Sequence, residues 1–502
     1  MRPSTLPSAP SPRRARARGG HPFRGGARGI APRLAASLLA SLLVSCPGER
    51  APAAPDAGPK ASPPRSAVRE EEAPPAGGRP LYLADRTQSP IPRDVADRLR
   101  AVGGRDPGLR PAVFMKVGDS TSAGGIRGPF LACLDPASRA DVNLGGRSDL
   151  AEAAAYFRTV KATASESSYA RDSLAVEVGQ NAEWATTGSP SPLEREVAAV
   201  RPGVALVMFG SNDVGCYGCG LADAEMASIY FGNMRRIVDG LLARGVVPVV
   251  SSMPPRSDDA ADLRRLPLFA NATRALAQGR EVPFIDYQRE MLPLPGLGLG
   301  PDGVHPSFCR IGPATACRFD DASCGGRKFL EYGYNVRNLV TLEALARVKA
   351  VLADGVPALD ASPPRMRGQG TFASPFQAER LPFTDLRDPA REGARKAASY
   401  GCPGSKAAPG PEVVYRLALE RRTALRIAVL DGSSTLSGPS RFALFLLGAS
   451  GRPEDCLRSS DRSIGATLAP GDYRVVVDSL AQKGGGEFAL VVVECAPGDG
   501  CE

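Results

Sequence analysis

Between residues 112 and 286, five short apolar runs alternate with longer stretches of helical character, and that alternation leaves few folds open to the chain. The runs 112–117, 173–178, 204–209, 246–251 and 282–286 read as buried strands. A helix over 222–244 puts Met226, Ile229, Tyr230, Met234, Ile237, Val238, Leu241 and Leu242 on one apolar stripe, and Gly245 ends it. A second helix over 334–353 carries Val336, Leu339, Val340, Leu345, Val348 and Leu352. Strands separated by helices predict an α/β fold, a three-layer α/β/α sandwich with a parallel sheet.

Open α/β sheets place ligand groups at the carboxyl ends of their strands. Two motifs stand there. Gly118-Asp119-Ser120-Thr121 follows the first run, and Gly210-Ser211-Asn212-Asp213 follows the third. Downstream, Asp302-Gly303-Val304-His305-Pro306 holds the one histidine outside the amino-terminal leader, where His21 lies. A serine hydroxyl is a weak nucleophile and needs a base within hydrogen-bond reach, which His305 can supply. Asp302 is close enough in sequence for one loop to carry both groups, and Pro306 stiffens its exit. Asp119 and Asp213 are expected as turn and hydrogen-bonding residues. No cluster of histidines completes a metal site around them, so neither metal nor cofactor is expected.

Taken together, these motifs resemble the SGNH/GDSL-type hydrolases over roughly residues 80–355. The resemblance implies the same sandwich fold. It also implies a catalytic triad of Ser120, Asp302 and His305, with Asn212 as a side-chain donor to the oxyanion and the backbone N–H of Ser120 as another. Thr121 stands where the family's namesake motif has Leu, a position that does no chemistry. For the family's glycine, Gly179 competes with Gly145-Gly146. Gly179 follows an apolar run and precedes Asn212 by 33 residues, room for one helix and one strand. From Gly146 the gap is too long for a single crossover. Gly179 is therefore assigned to the oxyanion hole, and residues 121–172 become an insertion near the site, a lid or pocket wall.

The first 45 residues hold eight arginines and no acids, then an apolar stretch from Leu34 to Val44. That pattern describes an export signal. Leu43-Val44-Ser45-Cys46 resembles a bacterial lipobox, which would make Cys46 the lipidated first residue of an envelope lipoprotein anchored in the membrane. Of the formal net charge of +9, the leader supplies +8, so the remainder is close to neutral and no nucleic-acid partner is expected. Residues 46–79 are rich in Ala, Pro and charge and read as a disordered tether.

Ten cysteines follow Cys46, at 133, 216, 219, 309, 317, 324, 402, 456, 495 and 501, and an even number in an exported chain predicts disulfides. The rival reading is a zinc site. Three cysteines between 309 and 324 cannot all pair among themselves, so one must reach elsewhere, with Cys133 a candidate.

After a linker at 356–375, residues 376–502 form short alternating strands between Gly, Pro and Asp turns. Val413, Tyr415, Leu417 and Leu419, then Leu425, Ile427 and Val429, then Tyr473, Val475 and Val477, with the runs 442–447 and 488–493, predict an all-β sandwich. The segments 411–416 and 468–478 resemble the pre-peptidase C-terminal type of domain, an appendage of secreted bacterial hydrolases.

The sequence thus predicts an exported serine esterase acting on carboxylic esters, short-chain or O-acetyl, with a small-molecule or glycan substrate. An O-acyltransferase would use the same triad with a sugar hydroxyl in place of water. A binding lipoprotein that has lost activity is the third possibility, opposed by the presence of every catalytic group. Trp184 and Tyr217 are candidate pocket-lining aromatics. The natural ester and the oligomeric state are not written in the sequence.

Overall fold

In the computed structural model the described residues are 78–124, 128–135, 137–138, 140–215, 220–309, 315–432 and 439–495. The leader, Cys46, nearly all of the expected tether, Cys216, Tyr217, Cys219 and Cys501 lie outside them.

The α/β body runs through α1 (Arg93–Gly103), β1 (Arg110–Gly118), α2 (Ala151–Thr159), α3 (Pro192–Val200), β2 (Pro202–Met208) and α4 (Ser211–Val214). It continues with α5 (Asp223–Ala243), β3 (Val247–Ser251), α6 (Ala260–Arg280), β4 (Phe284–Ile285), α7 (Tyr287–Met291), the hairpin of β5 (Ser323–Cys324) and β6 (Arg327–Lys328), and α8 (Gly333–Leu352). Four strands form a parallel sheet in the order β1-β2-β3-β4. Every residue of β2 is buried, as a strand covered by helices on both faces requires. On one side α1 and α2 lie against α8, and on the other α5 and α6 pack on each other and on β3. This is the expected α/β sandwich.

Two expected strands differ. Residues 173–178 make only a single parallel bridge, Val176 to Gly118. Side-chain oxygens take the place of a ladder there: Glu196 accepts from Leu174 N at 2.9 Å, and Ser173 Oγ from Ala175 N at 3.2 Å. The last strand shrinks to two residues because Val282 N caps the end of α6 by donating to Ala277 O, while Pro283 has no N–H to give. In the 121–172 segment, expected as a lid or pocket wall, Phe157 of α2 and Tyr169 are buried with edge-to-face contacts to Phe114 of β1, so this part belongs to the core.

The remaining elements are β7 (Phe376–Ala378), β8 (Phe383–Arg387), α9 (Pro389–Glu392), β9 (Glu412–Leu419), β10 (Thr423–Leu430), β11 (Phe442–Leu447), β12 (Cys456–Ser460), β13 (Ser463–Leu468), β14 (Gly471–Ser479) and β15 (Phe488–Glu494). They build two sheets, β13-β10-β15-β8 and β12-β11-β14-β9-β7, antiparallel except for the β7–β9 pair. Tyr415, Leu417, Ile427, Val429, Leu490 and Val492 fill the space between them. The alternate residues of the first sheet, Leu386, Ala428, Leu430, Ala489, Val491 and Val493, belong instead to the core of the α/β body. They pack on α5 and α6.

Helix α6 is therefore covered from two sides. Leu266, Phe269, Ala272, Ala275, Leu276 and Ala277 are all buried, as are Asn271, Thr273, Arg274 and Gln278, so the helix is buried around most of its circumference. A side chain at Gly279 would run into Leu386 of β8, so the close approach depends on that glycine. Polar ties complete the seam. Gln278 accepts from Tyr82 N and donates to Thr384 O, while Arg280 bridges Asp239 and Glu487. Residues expected as tether and linker are also fastened: Arg79 pairs with Glu392, and Leu359 N donates to Ile91 O.

Disulfides join Cys133 to Cys317, Cys309 to Cys324 and Cys402 to Cys456. The first is the long-range partner expected for the 309–324 cluster.

Candidate active site

The register of the parallel sheet sets Gly118 opposite Met208, so Ser120 and Gly210 leave it at one level. The segment 175–177 lies on one flank of β1, with Gly118 N donating to Ala175 O and Glu177 N to Gly118 O. β2 lies on the other flank. The chain thus reverses direction across β1, and the carboxyl end of β1 is the switch point where such sheets open a crevice.

Ser120 begins a single helical turn, Ser120–Ser122, at that end. Asp119 caps the turn, its Oδ1 accepting from Thr121 N at 2.9 Å and from Thr121 Oγ1 at 2.6 Å. Burial pushes the Asp119 carboxyl up, against the pull of those hydrogen bonds. Asp119 is thus the turn residue expected.

Ser120 Oγ lies 2.9 Å from His305 Nε2, and His305 Nδ1 lies 2.7 Å from Asp302 Oδ2. The other oxygen of Asp302 accepts from Val304 N at 3.1 Å and His305 N at 3.0 Å. One carboxylate therefore shapes its own loop and orients the imidazole. Burial alone would raise the Asp302 carboxyl, but the His305 ring and those two N–H groups hold it below the usual carboxylate value. The loop is fixed at both ends: Ser257 N donates to Gly303 O and Gly300 N to His305 O, each at 2.8 Å. Both side chains remain open to solvent, His305 at 43% and Asp302 at 52% exposure, so a bulky ester can reach them.

Asn212 sits in the first turn of α4. Gly210, with φ of 131°, makes the sharp entry, and a side chain there would run into Met253. Asn212 Nδ2 donates to Gln180 O at 2.9 Å. An amide nitrogen has two donors, so one stays available for a ligand. Asp213 accepts from Ala182 N at 3.1 and 3.3 Å. Burial, with a contribution from the Asp119 charge, pushes its carboxyl up to about 7 despite that bond. Asn212 and Asp213 together hold residues 180–182. Just before these, Gly179 takes the left-handed conformation, φ +78°, with open space where a side chain would be. Gly145, the rival glycine, belongs to a turn against Phe319.

Two arginines serve this arrangement that motif reading did not single out. Arg256 donates to Ser211 O and pairs with Asp258, tying the Asn212 turn to the strand-end loop behind Gly303. Arg337 of α8 reaches the Ser120 turn. Their sequence surroundings, Pro255-Arg256-Ser257-Asp258 and Asn335-Val336-Arg337-Asn338, are those of ordinary surface residues and carry no signal of the role. Trp184 is half-buried in a short turn packed on the core. Among the described residues no group of three or more His, Cys, Asp or Glu could hold a metal ion.

Residues 117–307 match the model of the GDSL-like Lipase/Acylhydrolase family. No curated protein sequence matches the chain. Among solved structures, a GDSL-like lipase from Bacteroides thetaiotaomicron is 18% identical over 34% of this chain and 74% of its own, with a TM-score of 0.25. An acetylxylan esterase from Geobacillus stearothermophilus is 16% identical over 46% of this chain and 93% of its own, with a TM-score of 0.28. A putative acylhydrolase from Bacteroides fragilis is 15% identical over 50% and 95%, with a TM-score of 0.26. The family match spans the Ser120, Asn212 and His305 motifs alike. Residues 117–307 thus carry a GDSL-like acylhydrolase domain, and the chain is a serine hydrolase acting on ester bonds.

Proposed function

We propose that the protein is an exported, lipid-anchored esterase that cleaves short-chain or O-acetyl carboxylic esters through an acyl-serine intermediate. The observation that carries this reading is the unbroken Ser120–His305–Asp302 relay, with contacts of 2.9 and 2.7 Å. His305 Nε2 takes the Ser120 proton as Oγ attacks the ester carbonyl, then gives it to the leaving alcohol. Asp302 keeps the ring in the right tautomer and stabilises the imidazolium. Negative charge on the carbonyl oxygen is met by the N–H groups of Ser120 and Gly179 and by Asn212 Nδ2, each such donor worth roughly 3–4 kcal/mol of barrier. Water, activated by the same histidine, releases the acid. The exposure of His305 and Asp302 suits esters borne on a polymer as well as small ones.

Export and anchoring are supported by the Leu43–Cys46 sequence and by disulfides, which persist in oxidising compartments. The same open site favours one second reading, in which a glycan hydroxyl replaces water at the acyl-enzyme.

Fluorophosphonate labelling with parallel p-nitrophenyl acetate turnover tests the chemistry. Both are expected in the wild type and absent in Ser120→Ala; a folded wild type with neither would overturn the reading. Adding a glycan acceptor separates hydrolysis from transfer. Incorporation of an alkynyl fatty acid, lost in Cys46→Ala, tests the anchor.

A further inference from the structure

Beneath the nucleophile turn lies a cation that the triad chemistry does not account for. Arg337, on α8 and 217 residues beyond Ser120, is 3% exposed. Its Nη1 donates to Thr121 O, and Nη2 donates to Ser122 Oγ at 3.0 Å. The guanidinium lies over the Phe130 ring, 3.9 Å from the centroid, with Tyr287 at 5.9 Å. Among the described residues no carboxylate comes within ion-pair distance of it. The opposing charge on this side of the site is Asp119, which grips the same turn through Thr121 N and Oγ1. Ser120 is thus held between a carboxylate that caps the turn and a guanidinium that closes it.

Burying a charge without an ion partner is costly, and a neutral donor could make the same two hydrogen bonds. The Phe130 face recovers part of that cost. What a neutral donor cannot supply is positive charge buried beneath the turn that begins at Ser120, the residue on which the anionic tetrahedral intermediate forms. Fixed charges in such surroundings act more strongly than in water and need no reorganisation as the reaction proceeds.

We infer that Arg337 is a positioning residue for the reaction, fixing the Ser120 turn and supplying buried positive charge behind the oxyanion. The inference rests on the esterase reading above. Its test therefore begins with wild-type turnover per fluorophosphonate-titrated serine, because an inactive wild type would sink that reading and not this one. With an active wild type, Arg337→Met is expected to lower kcat per titrated serine about a hundredfold with little change in KM, the effect of losing one oxyanion donor. Arg337→Lys keeps the charge and loses the fork, and should recover about tenfold of that loss. Ser122→Ala removes one hydrogen bond, keeps the charge, and should change kcat only a few-fold.

A purely structural arginine would behave otherwise. Arg337→Met would then lower the melting temperature or the titratable fraction, leaving kcat per titrated serine unchanged, and the inference would be overturned. Equal losses in the Lys and Met variants would refute the electrostatic half. Should Arg337→Met not fold, the Lys and Ser122→Ala variants decide: kcat per titrated serine unchanged in both overturns the inference, and a loss larger in Ser122→Ala than in Arg337→Lys does the same.

Discussion

The parallel sheet of the α/β body and the β13-β10-β15-β8 sheet of the sandwich are alike in one respect: apolar side chains leave both faces of each and are buried. They differ in what happens at their ends. β1 and β2 run out into the turns that carry Ser120 and Asn212, where Ser120 Oγ meets the solvent-exposed His305. Strands β8, β10 and β15 of the sandwich sheet, by contrast, give one face to the sandwich core and the other to α5 and α6. Twofold burial thus marks position in the fold and says nothing of chemistry. Chemistry is marked where a buried strand ends in a polar turn.

Substitutions can set the two regions apart. The largest effect should come from Ser120→Ala or His305→Ala, which are expected to cut kcat/KM by about 10⁴-fold or more while leaving the melting temperature near wild type. Val491→Asp should do the reverse in kind. It places an unpaired charge between the second sheet and the helices, costing about 3–5 kcal/mol. Calorimetry should show both regions melting in one transition at lower temperature; two separate transitions would mean that the regions are not coupled.

The disulfides sharpen the contrast. Removing Cys402–Cys456, whose cysteines are 54 residues apart, should cost about 4 kcal/mol of stability with kcat unaltered. Removing Cys309–Cys324, which begins four residues after His305, should lower kcat about tenfold through loss of positioning. Equal effects of the two on activity would contradict the division of roles.

The smallest effect concerns pH. The folded-state pKa of Asp213 is raised to about 7, so the folded state holds a proton that the unfolded chain has released above roughly pH 4. Stability from this group is present below the unfolded value and is lost as pH rises through about 7. Asp213→Asn, whose amide oxygen can still accept from Ala182 N, should therefore melt higher than wild type at pH 8, with the gain shrinking toward pH 4. A gain that grew as pH fell would have the wrong sign.

Much of the site was legible because its parts are local. The Ser120 and Asn212 blocks each sit in a turn that follows an apolar strand, and Asp302 and His305 share one loop. Helices α5 and α8 announced themselves by spacing. Helix α6 did not, because burial on both sides erases the stripe and Pro267 interrupts the pattern. Residues 173–178 have the composition of a strand but form a single bridge at Val176, and no local signal shows that Glu196 takes the Leu174 N–H. Strands β12 and β13 carry weaker signals: β12 is polar and largely exposed, and β13 offers only the short alternation of Ile464, Ala466 and Leu468. Arg256 and Arg337 act through contacts made only once distant segments meet.

The seam along α6 also sets the order of events during synthesis. The helix is complete at Arg280, but β15, which covers part of it, begins at Phe488. At about 5–20 residues per second, a greasy surface on a nearly finished enzyme waits roughly 10–40 s for its cover. A gene fragment ending at the last catalytic motif would leave that surface bare, because β8 and β15, which cover it, both lie downstream.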